Sequence, residues 1–238
     1  MPLLSIIIPV YNERRTIAKV IERVQSVELP AGFDREIIIV NDGSTDGTRE
    51  ILTPFENNHQ VIHQQNMGKG GATRTGFHRA KGDYIIVQDA DLEQDPNDFS
   101  KLLEPILKGE ADVVFGSRFM GQYKPRSLIL NLHYLINKFF TIVSNVLSGY
   151  HTTDMWTGYK MYSRKALDAF LPHLTSNGVA FEPEITILLA KLGFRIADVP
   201  ISFSPRWYEE GKKMNWKQAV RSFYKMIGFA FRRIPPHQ

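Results

Sequence analysis

Short apolar runs alternate with amphipathic segments through the first half of the chain. The runs predict strands over Leu4–Val10, Glu36–Val40, Val61–His63, Asp83–Gln88 and Asp112–Phe115. Between them, apolar residues recur at helical spacing and predict helices over Thr16–Val27, from about Thr48, over Gly68–Ala80 and over Pro96–Leu107. This alternation is typical of an α/β fold whose mostly parallel central sheet is flanked by helices.

The second half follows a different pattern. It predicts helices over about Ser127–Leu147, Arg164–Phe170, Glu182–Leu192 and Trp216–Phe231, a strand over Arg195–Phe203, and a turn-rich stretch over 149–164. No repeat and no linker rich in glycine, proline or serine separates the halves. We therefore expect a single domain over 1–238, with two halves, 1–118 and 119–213, and an amphipathic basic helix within 214–238.

Composition narrows the class of protein. The chain has 238 residues, of which 43% are hydrophobic and 23% charged, which excludes a disordered, collagen-like or coiled-coil protein. It has no cysteine, which excludes a disulfide scaffold, a thiol nucleophile and a cysteine-ligated metal site. The net charge of +4 suits an anionic substrate or membrane surface, but there is no strong basic stripe, so no nucleic acid partner is expected.

The sequence predicts neither a signal peptide nor a transmembrane helix. The N-terminus lacks a basic region and a cleavage site, and no stretch reaches the roughly 18 uninterrupted apolar residues of a span. Polar residues interrupt the longest candidate, Leu128–Leu147, which therefore reads as an amphipathic helix. We expect a cytoplasmic protein, soluble or peripheral on the cytoplasmic face of a membrane.

Polar residues follow three of the predicted strands. Pro9–Glu13 follow the first strand, Asn41–Ser44 the second and Asp89–Glu93 the fourth. Because the carboxyl ends of parallel strands meet at one edge of the sheet, these segments are expected to converge on a binding cleft.

Asp89 and Asp91 carry the most specific chemistry. Two carboxylates at i and i+2 repel each other unless a cation neutralises them. Oxygen ligands suit Mg²⁺ or Mn²⁺, which commonly bridge to substrate phosphates, and Glu93 is a candidate third ligand. A solvated acidic loop is the plain alternative, and the neighbouring strand-end motifs make it less favoured.

The other two strand ends suit a nucleotide. Tyr11 offers a ring for stacking a base, Glu13 can bind base or ribose hydroxyls, and Asp42 can accept from a base N–H. Core packing or a turn explains each residue taken alone. The glycine segment Asn66–Gly71 matches neither a P-loop nor a dinucleotide fingerprint, which disfavours a dehydrogenase.

Three basic residues and one acid complete the candidates. Arg118 follows the fifth strand, and Arg206 and Lys212 lie in a polar stretch of the second half; all three suit diphosphate oxygens. Asp154 lies where an acceptor could bind.

Five motifs, in their order along the chain, resemble those of family 2 glycosyltransferases of the GT-A fold. They are PVYNE, NDGSTDGT, GKGGATRTGF, DADLE and GSR. The later segments DMWTGYKMYSR, AFEPEITILLAKLGFRIADVPISF and RWYEEGKK resemble the branch acting on dolichyl or polyprenyl phosphate, as dolichol-phosphate mannose synthases do. The resemblance runs from about Leu4 to Lys213. It implies that 1–118 binds a nucleotide sugar and that 119–213 binds the acceptor.

The resemblance also implies roles for individual residues. Nucleoside-binding positions correspond to Pro9, Tyr11, Glu13, Val40 and Asp42. The DXD motif that holds metal and diphosphate corresponds to Asp89, Ala90 and Asp91, and the phosphate-binding basic positions to Arg118, Arg206 and Lys212. Those implied in catalysis are Asp91, Arg118, Arg206 and Lys212. Glu93 stands where mannose synthases usually have glutamine, and it remains a candidate ligand with a changed charge. YEEGKK stands in place of a G-E-S-K stretch, and this departure leaves the sugar and the nucleotide open.

The implied reaction is a metal-dependent, inverting transfer from GDP-mannose, UDP-glucose or UDP-N-acetylglucosamine to a polyprenyl phosphate. An anionic phosphate needs positioning more than a general base. The alternative is a soluble family 2 enzyme acting on a saccharide or other hydroxyl acceptor, with Asp154 as the base. The DXD motif disfavours a non-catalytic binder of nucleotide sugars or membranes. Leu128–Leu147 and the basic, aromatic Trp216–Arg233 are candidate contacts with an anionic membrane.

Overall fold

The computed structural model describes residues 1–120, 128–178, 180–205 and 216–234. Its strands are β1 (Leu3–Val10), β2 (Asp34–Asn41), β3 (Gln60–His63), β4 (Tyr84–Val87), β5 (Val113–Ser117), β6 (Lys160–Ser163) and β7 (Ile196–Pro200). They form one sheet in the order β3-β2-β1-β4-β6-β5-β7. All neighbouring pairs are parallel except those that β6 makes with β4 and β5. The expected mostly parallel α/β sheet is confirmed.

The helices lie close to their predicted positions. They are α1 (Ile17–Ser26), α2 (Thr48–Leu52), α3 (Lys69–Arg79), α4 (Phe99–Leu107), α5 (Leu128–Ser148), α6 (Arg164–Phe170), α7 (Phe181–Lys191) and α8 (Trp216–Phe231). Single 3₁₀ turns occupy Thr53–Phe55, Pro96–Asp98 and Leu171–His173. Pro96 therefore opens a 3₁₀ turn, and the α-helix expected from it begins at Phe99.

Strand β6 was not predicted and lies at the end of the turn-rich stretch 149–164. Its four residues are too few for a pattern to show, and three of them are buried. Its neighbours on both sides, β4 and β5, form the strand by pairing with it antiparallel. Because β6 and β7 belong to the second half of the chain, both halves contribute to one sheet.

Both faces of the sheet carry an apolar core. Leu4, Ile6 and Ile8 of β1 point to the face covered by α1 and α4, and Ile7 points to the face covered by α3, α6 and α7. A parallel strand buried on both faces requires a continuous apolar run, which explains the sequence of β1. A smaller cluster centred on Phe140 joins α5, α7 and α8.

The sheet register brings three strand ends together. In the parallel register, Val10 at the end of β1 pairs with Asn41 at the end of β2, and Ile7 pairs with Val87 at the end of β4. Helix α3 lies close against β1 because Gly76 has no side chain; a Cβ there would lie 2.3 Å from Cγ2 of Ile7. The loops that follow β1, β2 and β4 therefore leave the sheet beside the start of α3.

Candidate functional site

A cleft of about 370 Å³ lies at this edge of the sheet. Its walls come from the ends of β1, β2 and β4 and from the start of α3, as the sequence predicted. The lining residues are Pro9, Val10, Tyr11, Glu13, Asp42, Asn66, Gly68, Lys69, Ala72, Asp89, Ala90 and Asp91. The structure thus gathers seven of the twelve residues that the resemblance or the residue chemistry singled out for a donor site.

Tyr11 and Glu13 lie on the β1 side of the cleft. The Tyr11 side chain is 49% exposed, so it is not a core residue and its ring is accessible to a planar group. Glu13 is held at the start of α1: its backbone N–H donates to Oγ1 of Thr48 (3.0 Å), and its Oε2 accepts from Oγ1 of Thr16 (2.8 Å). Their roles in binding a nucleoside stay predictions.

Asp42 is buried and organises the glycine loop before α3. Its Oδ1 accepts from Nε2 of Gln64 (2.7 Å) and from the backbone N–H of Met67 (2.9 Å), and its Oδ2 accepts from the N–H of Gly68 (2.8 Å). Gly68 has a φ of 83°, and a Cβ there would lie 2.8 Å from the carbonyl oxygen of Asn177. A ligand N–H can use only the acceptor capacity that remains on Asp42.

Val40 does not line the cleft. Its side chain is fully buried on β2 and packs in the core beneath α3. Side chains alternate between the two faces of a strand, and this position faces the helices rather than the open edge. The implied place of Val40 beside the nucleoside stays a prediction.

Asp89 pairs with Lys69 at the floor of the cleft. Nζ of Lys69 lies 2.5 Å from Oδ1 of Asp89, and Nε2 of Gln94 lies 3.4 Å from Oδ2. Burial lowers the pKa of Lys69, but the negative charges of Asp89 and Glu182 outweigh that effect and raise it above its usual value. Lys69 is therefore a cation held against the first carboxylate of the DXD motif.

The two aspartates suit a divalent cation. Asp91 lines the same cleft, and its Oδ1 accepts from the backbone N–H of Glu93 (3.1 Å). Two carboxylates are the oxygen ligands that Mg²⁺ and Mn²⁺ prefer, and Mg²⁺ usually fills its remaining positions with water and substrate phosphate. Over the described ranges, no three acidic or histidine side chains are arranged to hold a metal. The third-ligand role of Glu93 stays a prediction.

Arg118 forms a two-pronged ion pair with Asp154 after the end of β5. Nε lies 2.7 Å from Oδ2, and Nη2 lies 2.8 Å from Oδ1. The guanidinium also lies 5.4 Å from the ring centres of Phe119 and Phe203. Burial lowers the pKa of Arg118, but the charge of Asp154, followed by those of Glu93 and Asp89, raises it overall. Arg118 is a fixed cation within electrostatic reach of the DXD motif.

This pair corrects the expectation for Asp154. The carboxylate is fully buried, both of its oxygens are bonded to Arg118, and Oδ2 also accepts from the Arg118 backbone N–H (3.2 Å). A general base needs a free lone pair within reach of the acceptor hydroxyl. Asp154 therefore holds Arg118 in place and is not placed to act as the base.

Sequence reasoning missed the buried pair Lys160–Glu182. Nζ of Lys160 donates to the carbonyl oxygens of Met155 (3.0 Å) and Thr157 and to Oε2 of Glu182. Burial lowers the pKa of Lys160 more than the charge of Glu182 raises it. The sequence carries little signal for this pair, because Lys160 is the first residue of a four-residue strand and only its burial in the fold requires a partner for the charge.

Arg206 and Lys212 lie outside the described residues. Their expected contacts with phosphate stay predictions.

Comparisons with known proteins agree on one family. The sequence profile described as Glycosyl transferase family 2 matches residues 5–171. A UDP-N-acetylglucosamine--dolichyl-phosphate N-acetylglucosaminyltransferase of Methanococcus voltae is 31% identical over 244 residues, covering 94% of this chain and 95% of the relative. A dolichyl-phosphate beta-glucosyltransferase of Saccharomyces cerevisiae is 31% identical over 237 residues, covering 89% of this chain and 69% of the relative.

A third relative is longer than this chain. The low-salt glycan biosynthesis hexosyltransferase Agl6 of Haloferax volcanii is 33% identical over 205 residues, which is 86% of this chain and 48% of the relative. The chain spans about half the length of that relative.

Solved structures share the fold. Glucosyl-3-phosphoglycerate synthase of Mycobacterium tuberculosis, crystallised with Mn²⁺, UDP and glucosyl-3-phosphoglycerate, superposes with a TM-score of 0.70 at 21% identity, over 95% of this chain and 80% of that one. Its complex with Mg²⁺ and UDP gives 0.68 at 21% identity, over 95% and 80%. The fold is of the GT-A type, and the profile match and the relatives above 30% identity establish that the chain belongs to glycosyl transferase family 2.

Proposed function

We propose that this protein transfers one sugar, with inversion, from a nucleotide diphosphate sugar to a polyprenyl phosphate such as dolichyl phosphate, and that it requires Mg²⁺ or Mn²⁺. The observation that carries the proposal is the cleft in which Tyr11, Glu13 and Asp42 line one part and Asp89 and Asp91 another. Its size and lining suit a nucleoside followed by a diphosphate. The two relatives named for dolichyl phosphate support the acceptor.

The leaving diphosphate explains the charges in the cleft. Asp89 and Asp91 would hold the divalent cation, which when bound neutralises the charge that develops on the departing diphosphate. Lys69 adds a cation from the start of α3, where the helix N-terminus also favours an anion. Contributions from Arg206 and Lys212 remain part of this proposal.

A phosphate acceptor fits the second half of the site. An ionised phosphate already carries the attacking oxygen, so the protein has to place it rather than deprotonate it. Asp154 occupies Nε and Nη2 of Arg118, which leaves Nη1 of this fixed guanidinium for an acceptor oxygen. Because the same pair engages both Asp154 oxygens, the geometry disfavours the hydroxyl-acceptor alternative that needed Asp154 as a base.

An apolar stripe on α5 supports contact with a membrane. Leu135, Phe139, Ile142 and Val146 are each 55–80% exposed, and their spacing places them on one face of the helix. Phe139 also stacks on Phe223 of α8 (ring centres 6.3 Å apart).

Helix α8 also exposes basic residues. Arg221 and Lys225 are exposed there, as is Tyr224. An exposed apolar stripe suits the interface of a bilayer, and exposed cations add attraction to an anionic one, so we include peripheral binding in the proposal. Among the described helices, none is both long and apolar enough to cross a bilayer. The cytoplasmic location stays a prediction.

The test is a two-phase transfer assay. Purified protein, Mn²⁺ or Mg²⁺ and labelled UDP-N-acetylglucosamine, UDP-glucose or GDP-mannose are mixed with polyprenyl phosphate in detergent. We expect one donor to label the organic phase only with metal present. Asp89→Asn should abolish the label, and the matched surface variant Asp34→Asn should retain it.

Two results would contradict the proposal. Metal-dependent donor hydrolysis without labelled lipid would overturn the acceptor and restore the hydroxyl-acceptor alternative. Equal labelling in chelator would overturn the metal requirement.

A further inference from the structure

Lys69 occupies the position at which a cation would meet the first carboxylate of the DXD motif. Its Nζ lies 2.5 Å from Oδ1 of Asp89, the distance of a short, charge-assisted hydrogen bond that uses one lone pair of that oxygen. A divalent cation bound to the same oxygen would lie beside a second positive charge. The lysine and the metal therefore compete for Asp89.

The surroundings of the Lys69–Asp89 ion pair have room for the pair and also allow the Lys69 side chain to move away from Asp89. A Cβ at Gly158 would lie 2.7 Å from Nζ of Lys69 and 2.8 Å from Oδ2 of Asp89, so the pair fits because residue 158 has no side chain. The Lys69 side chain is 46% exposed toward the cleft, so its flexible stem can turn toward a ligand there. The pair is therefore a displaceable contact.

We infer that Lys69 is a tethered counter-ion of Asp89 that the divalent cation must displace, and that the donor diphosphate draws it away. The inference rests on the donor of the proposed function and not on its acceptor. Metal alone then binds weakly, because it has to break the pair without compensation. Metal and nucleoside diphosphate bind cooperatively, because the phosphates offer Lys69 a new anionic partner.

Two further observations agree with this inference. A lysine ammonium group is protonated at neutral pH, so the competing cation is present there. Lys69 is also the first residue of α3, and Asp42 fixes the loop before it through the N–H groups of Met67 and Gly68. The lysine is thus presented to Asp89 from a held backbone, and only its side chain has to move.

The experiment measures free Mn²⁺ by electron paramagnetic resonance during titration of the full chain, with no donor, with UDP and with GDP. In the unaltered protein we expect either nucleotide to tighten Mn²⁺ binding about tenfold, which lies within the usual range of about 5- to 150-fold for coupling between sites. Lys69→Met should bind Mn²⁺ alone about tenfold tighter than the unaltered protein. The nucleotide should then tighten Mn²⁺ binding by a clearly smaller factor than in the unaltered protein, because coordination by its phosphates remains but the release of Lys69 no longer contributes.

Lys19→Met is the matched control, because it removes one positive charge from an exposed position on α1. It should behave as the unaltered protein in both titrations. Lys69→Arg, which keeps the charge, should retain weak binding of metal alone and serves as the second variant if Lys69→Met does not fold. In a Lys69→Met/Asp89→Asn double variant the gain in affinity should disappear.

The inference is overturned if Lys69→Met binds Mn²⁺ alone no more tightly than the unaltered protein. It is also overturned if Lys19→Met shows the same gain. The titration contains no lipid, so its outcome is separable from that of the transfer assay. Coupling without lipid labelling would remove the proposed acceptor alone, and lipid labelling without coupling would remove this inference alone.

Discussion

Replacing Asp154 with asparagine removes one charge from a buried ion pair and keeps the shape of the side chain. Asp154 accepts three hydrogen bonds from Arg118, through Nε (2.7 Å), Nη2 (2.8 Å) and the backbone N–H (3.2 Å). Asparagine can accept at its oxygen only, and its NH₂ group would face an Arg118 donor. The guanidinium would then lack a counter-charge in a largely buried position.

The magnitude follows from this geometry. Breaking a buried pair by removing one partner costs about 3–5 kcal/mol of unfolding free energy. The two hydrogen bonds to the Oδ2 position can survive, and the Arg118 side chain keeps 16% of its exposure, so we expect the lower end, about 3 kcal/mol. Urea unfolding followed by circular dichroism measures it. The control is Asp168→Asn, which breaks the surface ion pair between Asp168 and Arg164. Because the Asp168 side chain is 61% exposed, this change should cost less than about 1 kcal/mol of unfolding free energy.

Activity separates a positioning role from a purely structural one. Because Arg118 is a proposed contact of the acceptor phosphate, Asp154→Asn should raise the KM for polyprenyl phosphate about tenfold or more, for one weakened charge-assisted contact. The affinity for UDP should change little. A loss of stability equal to that of Asp168→Asn would refute the energetic argument. A fall in kcat of about 10²–10⁴ with KM unchanged would refute the positioning role and return Asp154 to the role of base.

Three further predictions concern the surface, the cleft floor and acid stability. Phe139→Ser/Ile142→Ser should lose most binding to anionic vesicles in flotation assays, and the exposed Leu107→Ser should not; equal binding by both would contradict the α5 surface. Gly158→Ala should weaken Mn²⁺ binding in the presence of UDP several-fold, because the added Cβ would displace the Lys69 and Asp89 side chains. Unchanged titrations would contradict this prediction. Burial raises the pKa of Asp112, but its ion-pair partner Arg195 outweighs burial and lowers the pKa below its usual value of 3.8. The pair therefore stabilises the fold above pH 3.8, and this stabilisation is lost as the pH falls through the lowered pKa. Asp112→Asn should therefore be destabilising at pH 7, with the difference shrinking below about pH 4 in urea titrations.

The elements that sequence predicted well are those with a long local signal. Strand β1 is a continuous apolar run, and the helical spacing of α1 gave its bounds within one residue at each end. The cleft followed from topology, because polar residues placed after parallel strands must share an edge of the sheet. Nothing more than strand order was needed to bring Tyr11, Asp42 and Asp89 together.

The features that sequence did not predict depend on contacts between distant segments. Strand β6 exists because β4 and β5 bind it on both sides, and the face on which Val40 lies follows from the register of β2. Arg118, the ion-pair partner of Asp154, lies 36 positions away in sequence, so no local pattern predicts the pair. From sequence alone, Asp154 in a turn is a candidate general base, and only the fold shows that it is the counter-ion of Arg118.

The counter-ions bear on the choice of acceptor. In the described part of the second half, two carboxylates lie near the donor site. Glu182 is bonded to Lys160 and lies within electrostatic reach of Lys69 in the cleft, and Asp154 is bonded to Arg118, which the charges of Glu93 and Asp89 also reach. Each carboxylate therefore neutralises a buried cation. To remove a proton from an acceptor hydroxyl, the carboxylate would have to break its ion pair with that cation. A phosphate acceptor makes no such demand, since its oxygen is already anionic and needs only a fixed cation beside it. The same buried pairs that leave these two carboxylates unsuited to act as a base provide that cation, which favours a phosphate over a hydroxyl as the group that receives the sugar.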